Sequence, residues 1–167
     1  GKGGPFTAPV TAKVTPFLDE KEIRQLLKSP KIAGKRVFVG DMTDVAGEWI
    51  DADMIAGLFG IFAARPDATF QVLTKRAGHL KQIVADDTMF SNWVRNKAAG
   101  YSHDVLHREW VWPLPNLWLG VSVEDQGRAD ERIPLLLQTP EAVRFLSVEP
   151  LLGPVDLRPY LAPCGFC

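Results

Sequence analysis

Four short apolar segments rich in β-favouring residues alternate along the chain with segments of helical periodicity, and this alternation restricts the fold more than any other feature. The predicted strands lie at Arg36 to Val39, 69–75, 117–124 and 142–150. They are apolar through their length, which is typical of parallel strands covered on both faces. The sequence therefore predicts an α/β fold of βα units around a parallel sheet, and both an open doubly wound sheet and a (β/α) barrel fit this pattern.

The helices between these strands are predicted from capping residues, prolines and apolar spacing. Asp19 can cap a first helix that Pro30 stops. Apolar residues recur at helical spacing over 48–66, which predicts an amphipathic second helix that ends at a proline. Further helices are expected from about residue 77 to 85 and over 126–138.

These elements are predicted to form a single α/β domain over residues 17–160, after a Gly-, Pro- and Thr-rich linker at 1–16. Residues 86–115 are longer than an ordinary connection, so we predict an inserted lid that is partly helical. Because the chain begins without methionine and ends on one of its only two cysteines, we expect it to be a central piece of a longer protein.

The charge balance bears on partners and location. Nineteen basic and twenty acidic residues give a net charge of -1, so no general field attracts nucleic acid or an anionic membrane. No apolar stretch approaches the roughly 20 residues that a bilayer-spanning helix needs. We therefore expect a cytoplasmic protein with no membrane partner, in which any contact with nucleic acid is local.

Polar and ionisable residues follow every predicted strand, and in parallel α/β folds ligands bind at these carboxyl ends. Strand by strand, they are Asp41, Thr43 and Asp44; Thr74, Lys75 and Arg76; Ser122, Glu124 and Asp125; Ser147 and Glu149. The sequence S-V-E occurs after two strands, and residues two apart share one face of a strand. The pattern predicts a polar mouth for an anionic or carboxylate-bearing ligand. The alternative is a set of surface ion pairs, each worth up to ~1 kcal/mol.

Metal ligands and base-stacking residues are weaker candidates. His103 and His107 stand four residues apart, a spacing that metal sites use on helices, but no third ligand is evident. Cys164 and Cys167 form a C-x-x-C pair that is interpreted as half of a structural zinc site, with two unremarkable thiols as the alternative. Several tryptophans in the predicted lid could stack nucleic-acid bases, although core packing is the commoner role.

Four phrases carry a resemblance to a known family: RVFVGDMTDVAGEWI, FQVLTKR, WPLPNLWLGVSVEDQGRADERIPLLLQTP and VRFLSVEPLLGPVDL. They resemble an uncharacterised family of phage and prophage-encoded proteins, a domain of unknown function, over roughly residues 35–158. That family in turn resembles a divergent branch of the radical S-adenosylmethionine (SAM) enzymes, nearest to the spore photoproduct lyase group.

The resemblance implies a partial (β/α) barrel of the TIM type that holds SAM on a [4Fe-4S] cluster. Cofactor-binding roles fall on Thr74, Lys75 and Ser122, which stand in matching phrases. Catalytic roles on the substrate side are assigned to Asp41, Glu124 and Glu149.

The sequence departs from the family pattern in its cysteines. Relatives carry the three cysteines of the cluster upstream of the matching region, and this chain has no cysteine before Cys164. We therefore expect residues 1–167 to be inactive by themselves. Some relatives carry a Cys-rich insertion, and the resemblance implies that residues 161–167 are its start. The alternative function is a non-catalytic phage or prophage module that binds a nucleic acid or a host protein.

Overall fold

The computed structural model describes residues 17–40 and 43–161, and a four-stranded parallel sheet lies at their centre. Its strands are β1 (Arg36–Val39), β2 (Thr69–Thr74), β3 (Leu117–Ser122) and β4 (Val143–Ser147). The strand order is β1-β2-β3-β4, so consecutive strands are neighbours throughout the described part of the chain. A doubly wound sheet reverses its strand order at a switch point, and this order has no such reversal. The predicted α/β class and parallel sheet are confirmed.

Six helices connect and flank the strands that the structure describes. They are α1 (Glu20–Lys28), α2 (Ala52–Ala64), α3 (Ala77–Ile83), α4 (Asp87–Tyr101), α5 (Asp104–His107) and α6 (Gln126–Leu137), with 3-10 turns at Pro30–Ile32 and Arg158–Tyr160. Aspartate side chains cap α1, α2, α4 and α6 by accepting backbone N–H groups of the first turn. Such a cap stabilises a helix by about 1 kcal/mol. None of the described helices is long and apolar enough to cross a membrane.

The buried core lies against one face of the sheet, which we call the core face. Phe70 and Val72 of β2 lie there, and the ring of Phe62 on α2 stacks on that of Phe70 with a centroid distance of 4.3 Å. Side chains on the other face, the second face, are less covered. Leu73 and Gln71 are half-buried there, and Phe38 of β1 is 49% exposed.

The segment that was predicted as a lid, residues 86–115, forms α4, α5 and the connection to β3. Phe90, Val94 and Ala98 of α4 are buried in the same core as the strands. The ring of Phe90 meets that of Phe59 on α2 edge to face, with a centroid distance of 5.8 Å. Helix α4 therefore contributes a layer of the core beside α2.

Candidate functional site

The carboxyl end of β2 is held in place by Asp44, which follows β1. Its Oδ1 accepts a hydrogen bond from Thr74 Oγ1 at 2.5 Å, and its Oδ2 accepts one from the backbone N–H of Lys75 at 2.8 Å. Thr74 Oγ1 in turn accepts from the backbone N–H of Arg76 at 2.9 Å. Because Thr74 is buried, these bonds fix the backbone from which Lys75 and Arg76 extend.

Glu124, just beyond β3, is shared between two cations. Its Oε1 lies 2.6 Å from Lys75 Nζ, and its Oε2 lies 2.9 Å from Arg132 Nη1. The same Nη1 donates to the carbonyl of Ser122 at 2.8 Å. The side chains of Glu124 and Arg132 are 10% and 9% exposed, whereas that of Lys75 is 54% exposed. We call Lys75, Glu124 and Arg132 the Glu124 cluster. It contains two cations and one carboxylate, and Lys75 is the only exposed side chain of the three.

The ionisation of Glu124 follows from these contacts. Burial by itself raises the pKa of the Glu124 carboxyl, but the hydrogen bond from Lys75 and the charge of Arg132 more than offset it. The pKa of Glu124 therefore lies below its ordinary value. The carboxylate is charged at neutral pH, and the Glu124 cluster carries one net positive charge.

The two faces of the sheet separate the residues that were predicted to bind SAM. Thr74 follows Phe70 and Val72 along β2 and is paired in register with Val121, so it lies on the core face. Ser122 is one residue further along β3, pairs in register with Ser147, and lies on the second face. Ser122 is buried, and its carbonyl accepts from the same Arg132 that binds Glu124, whereas Lys75 contacts Glu124 directly. The structure thus links Lys75, Ser122 and Glu124 through these contacts and places Thr74 on the core face.

The remaining predicted acids are placed differently. Glu149 lies in the exposed segment after β4, and this segment returns to the site where the backbone N–H of Leu152 donates to the carbonyl of Glu124 at 2.8 Å. Ser147 accepts a hydrogen bond at its carbonyl from the N–H of Val123, at 2.7 Å. Asp41 lies outside the described residues. The carboxyl ends of β3 and β4 are thus joined by backbone hydrogen bonds beside the Glu124 cluster.

The cofactors implied by the resemblance can be tested against the residues present. The chain has two cysteines, Cys164 and Cys167, and both lie outside the described residues. Three cysteine ligands for a [4Fe-4S] cluster are therefore not supplied by residues 1–167, and no chemical step is derived through such a cluster. Within residues 17–40 and 43–161, no group of three or more His, Cys, Asp or Glu side chains could hold a metal ion. His103 and His107 lie at the two ends of the short helix α5.

Arg132 is the site residue that sequence reasoning missed. It lies on α6 between Ala129 and Leu136, three residues after the one and four before the other, and all three are buried. A cation in the apolar stripe of a helix must find a partner, because an unpaired buried charge is strongly unfavourable. The signal was therefore present as one arginine on the buried face of a helix that directly follows S-V-E and its aspartate cap.

Comparison with known protein families assigns the chain to one of them. The model of a family described as a protein of unknown function (DUF5131) matches residues 7–161, and the chain therefore belongs to this family. Neither the curated proteins nor the solved structures contain a match to the chain. The matched range includes all four strands and the whole Glu124 cluster.

Proposed function

We propose that this member of the family forms part of the wall of a (β/α) barrel and binds SAM at the carboxyl ends of its strands, as part of a radical-SAM-type enzyme. The observation that carries the proposal is the pair of opposite charges formed by Lys75 and Glu124, with Nζ and Oε1 2.6 Å apart, at the ends of adjacent parallel strands. Ligands of parallel α/β folds bind at such strand ends.

The charges of this pair match the amino-acid end of SAM. That end carries a carboxylate and an ammonium group, which a lysine and a glutamate can each meet with a charge-assisted hydrogen bond. Lys75 is half-exposed and free to exchange its partner, while Glu124 is held by Arg132. In the proposal Lys75 binds the carboxylate, and Glu124, which was predicted to act on the substrate side, instead orients the ammonium group of SAM.

Neighbouring residues have supporting roles in the proposal. Ser122 borders the pair on the second face and is assigned to the ribose of SAM. Thr74 is a positioning residue, because its hydroxyl and Asp44 hold the backbone at Lys75. Asp41 and Glu149 are assigned to the substrate side.

The strand order supports a barrel of the TIM type. Crossover connections between parallel strands are nearly always right-handed, so a chain that advances through β1-β2-β3-β4 without reversal keeps its helices on one face. In a (β/α) barrel the helices lie outside and the other face of each strand points into the barrel. The half-buried second face, with Leu73, Trp118 and Phe145, has the composition expected of such an interior.

Lys75→Ala in the intact protein tests the proposal. We expect SAM affinity to fall tenfold or more, because a hydrogen bond to a charged group contributes about 1.5–3 kcal/mol. Isothermal titration calorimetry with SAM measures the change. Lys97→Ala is the matched control, since Lys97 forms a 2.6 Å ion pair with Asp53 on α2, at a different part of the molecule.

Unchanged SAM affinity in Lys75→Ala removes Lys75 from the site. If the unmodified protein binds single-stranded nucleic acid or a host protein and shows no heat of SAM binding, the alternative of a non-catalytic binding module replaces the enzyme.

A further inference from the structure

We infer that a cleft beside the Glu124 cluster binds the phosphoryl group of a small phosphorylated substrate. The cleft lies between the start of α3 and one side of α6 and has a volume of about 410 Å³. We call it the arginine cleft; its lining residues include Lys75, Arg76, His79, Arg128, Glu131 and Arg132. The claim that the ligand is a substrate rests on the proposed function. The claim that a phosphoryl group binds here rests on the residues of the cleft alone.

The charge of the arginine cleft favours an anion. Lys75 and Arg132 share the single carboxylate of Glu124, so one of the two cations has no carboxylate of its own. Arg76 and Arg128 add two more guanidinium groups, each paired with one glutamate. Four cations and two carboxylates, those of Glu48 and Glu131, therefore line a cleft of ligand-binding size, while Glu124 and the helix-capping Asp125 lie beside it.

The outer ion pairs of the cleft are able to exchange partners. Arg76 and Glu48 are 46% and 69% exposed, and Arg128 and Glu131 are 52% and 53% exposed. Exposed pairs of this kind contribute little to stability. A phosphoryl group, with more acceptor oxygens and more charge than a carboxylate, can therefore displace both glutamates from their arginines.

Arg132 provides the fixed part of the site. Its guanidinium is held by Glu124 and by the carbonyl of Ser122, so its position is set before a ligand arrives. Its Nε is buried and has no acceptor among the described residues. Both hydrogen bonds of the guanidinium are made by Nη1, so a phosphoryl oxygen in the cleft would meet this side chain at Nη2, which makes no hydrogen bond within the described residues.

The ligand class follows from shape and overall charge. Guanidinium groups bind phosphate oxygens in a planar fork, and arginine is the residue that such recognition uses most. A polymeric nucleic acid needs an extended basic surface, whereas this chain has a net charge of -1, and the three arginines Arg76, Arg128 and Arg132 line one bounded cleft. A small phosphorylated compound fits these observations better than a nucleic-acid backbone.

Inorganic pyrophosphate is the probe for the experiment. We expect calorimetry at about 0.15 M ionic strength to show pyrophosphate binding to the intact protein. The double variant Arg76→Gln/Arg128→Gln is expected to bind at least tenfold more weakly, while circular dichroism and the melting temperature stay unchanged because both arginines are exposed. Arg24→Gln is the matched control: Arg24 pairs with Glu20 at 2.6 Å on the exposed side of α1.

Three results overturn the inference: no pyrophosphate binding, undiminished affinity in the double variant, or an equal loss of affinity in Arg24→Gln. If a single-stranded oligonucleotide binds and pyrophosphate does not, the cleft is a nucleic-acid site instead. SAM is titrated into the same variants to separate the two proposals. Pyrophosphate binding that the double variant loses, in a protein that does not bind SAM, supports the phosphoryl site and removes the proposed cofactor. SAM binding without pyrophosphate binding supports the proposed cofactor and removes the phosphoryl site.

Discussion

Two buried glutamates among the described residues, one with two cations in contact and one without an ion pair, have pKa values shifted in opposite directions. Glu124 is paired with Lys75 and Arg132, and its pKa lies below the ordinary value despite burial. Glu141 lies before β4, at the opposite end of the strand from the candidate site, and is 7% exposed. Burial raises the pKa of Glu141 to about 8, and the charge of Arg144 only partly opposes this effect.

Glu141→Gln tests the buried carboxyl. Folded Glu141 keeps its proton up to a pKa of about 8, whereas the unfolded chain loses it near 4.5. A raised carboxyl pKa means that stability is lost as pH rises through this window. Glutamine has the same shape and does not ionise, so the variant is expected to be more stable than the parent at pH 8 by more than about 1 kcal/mol.

Urea unfolding at several pH values between 4 and 8 measures the difference. The advantage of the variant is expected to shrink as the pH falls towards 4, because both states of the parent are then protonated. Glu22→Gln, on exposed α1, controls for the loss of one carboxylate. A difference that stays constant across the range would show that the pKa of Glu141 is the same in the folded and the unfolded protein.

At the scale of helices and strands, the close approach of α2 and α4 determines how the segment 86–115 packs against the core. A Cβ atom at Gly60 of α2 would lie 2.8 Å from Lys97 Cβ and 2.9 Å from the backbone nitrogen of Ala98. Because one of these close atoms belongs to the backbone of α4, rotation of a side chain cannot relieve the contact. The absence of a side chain at Gly60 therefore sets the distance between these two helices.

Gly60→Ala is expected to destabilise the protein by about 1–3 kcal/mol, because the added methyl group forces the two helices apart. Gly100→Ala is the matched control, since Gly100 is an exposed position of α4 with no neighbouring atom within 4 Å of an added Cβ. That change is expected to be neutral or to stabilise by up to about 1 kcal/mol through helix propensity. Urea denaturation compares the two variants, and equal effects would contradict the close contact.

On the scale of the whole molecule, one buried cluster joins the strands, α2, α4 and α6. It includes Phe62 of α2, Val72 of β2, Val94 of α4 and Ile133 of α6. Elements that share one core lose their packing together, and small single domains usually unfold in one transition. Helix α4 is therefore expected to unfold with the sheet.

Two optical probes check this expectation. Trp93, Trp110 and Trp112 all lie in the segment 86–115, and the indole N–H of Trp110 donates to Ser91 at 2.9 Å, so tryptophan fluorescence reports mainly on α4 and its connection. Far-ultraviolet circular dichroism reports on all helices and strands. We expect the two urea transitions to have the same midpoint. An earlier fluorescence transition would show that the segment opens separately, as a lid does.

Local pattern determined the α/β class, the parallel strands, the helix cap at Asp19 and the helix over 126–138, because these depend on residues that are close in sequence. Apolar runs predict buried strands, and an aspartate before a helix satisfies N–H groups two or three positions away. The polar strand ends were predicted for the same reason. The assignments of Lys75 and Ser122 to SAM are still predictions.

The tertiary structure decided which of these residues meet. Glu124 lies far along the chain from Lys75, and whether they approach depends on the order of the strands and on their register. A shift of one residue in register moves a side chain to the other face of a sheet. Thr74 pairs in register with Val121 and lies on the core face, whereas Ser122, one residue further along β3, lies on the second face. The role of Arg132 could not be identified from the sequence for a similar reason. Its partner Glu124 follows the preceding strand, and only the packing of α6 against β3 brings Oε2 of Glu124 within 2.9 Å of Nη1 of Arg132.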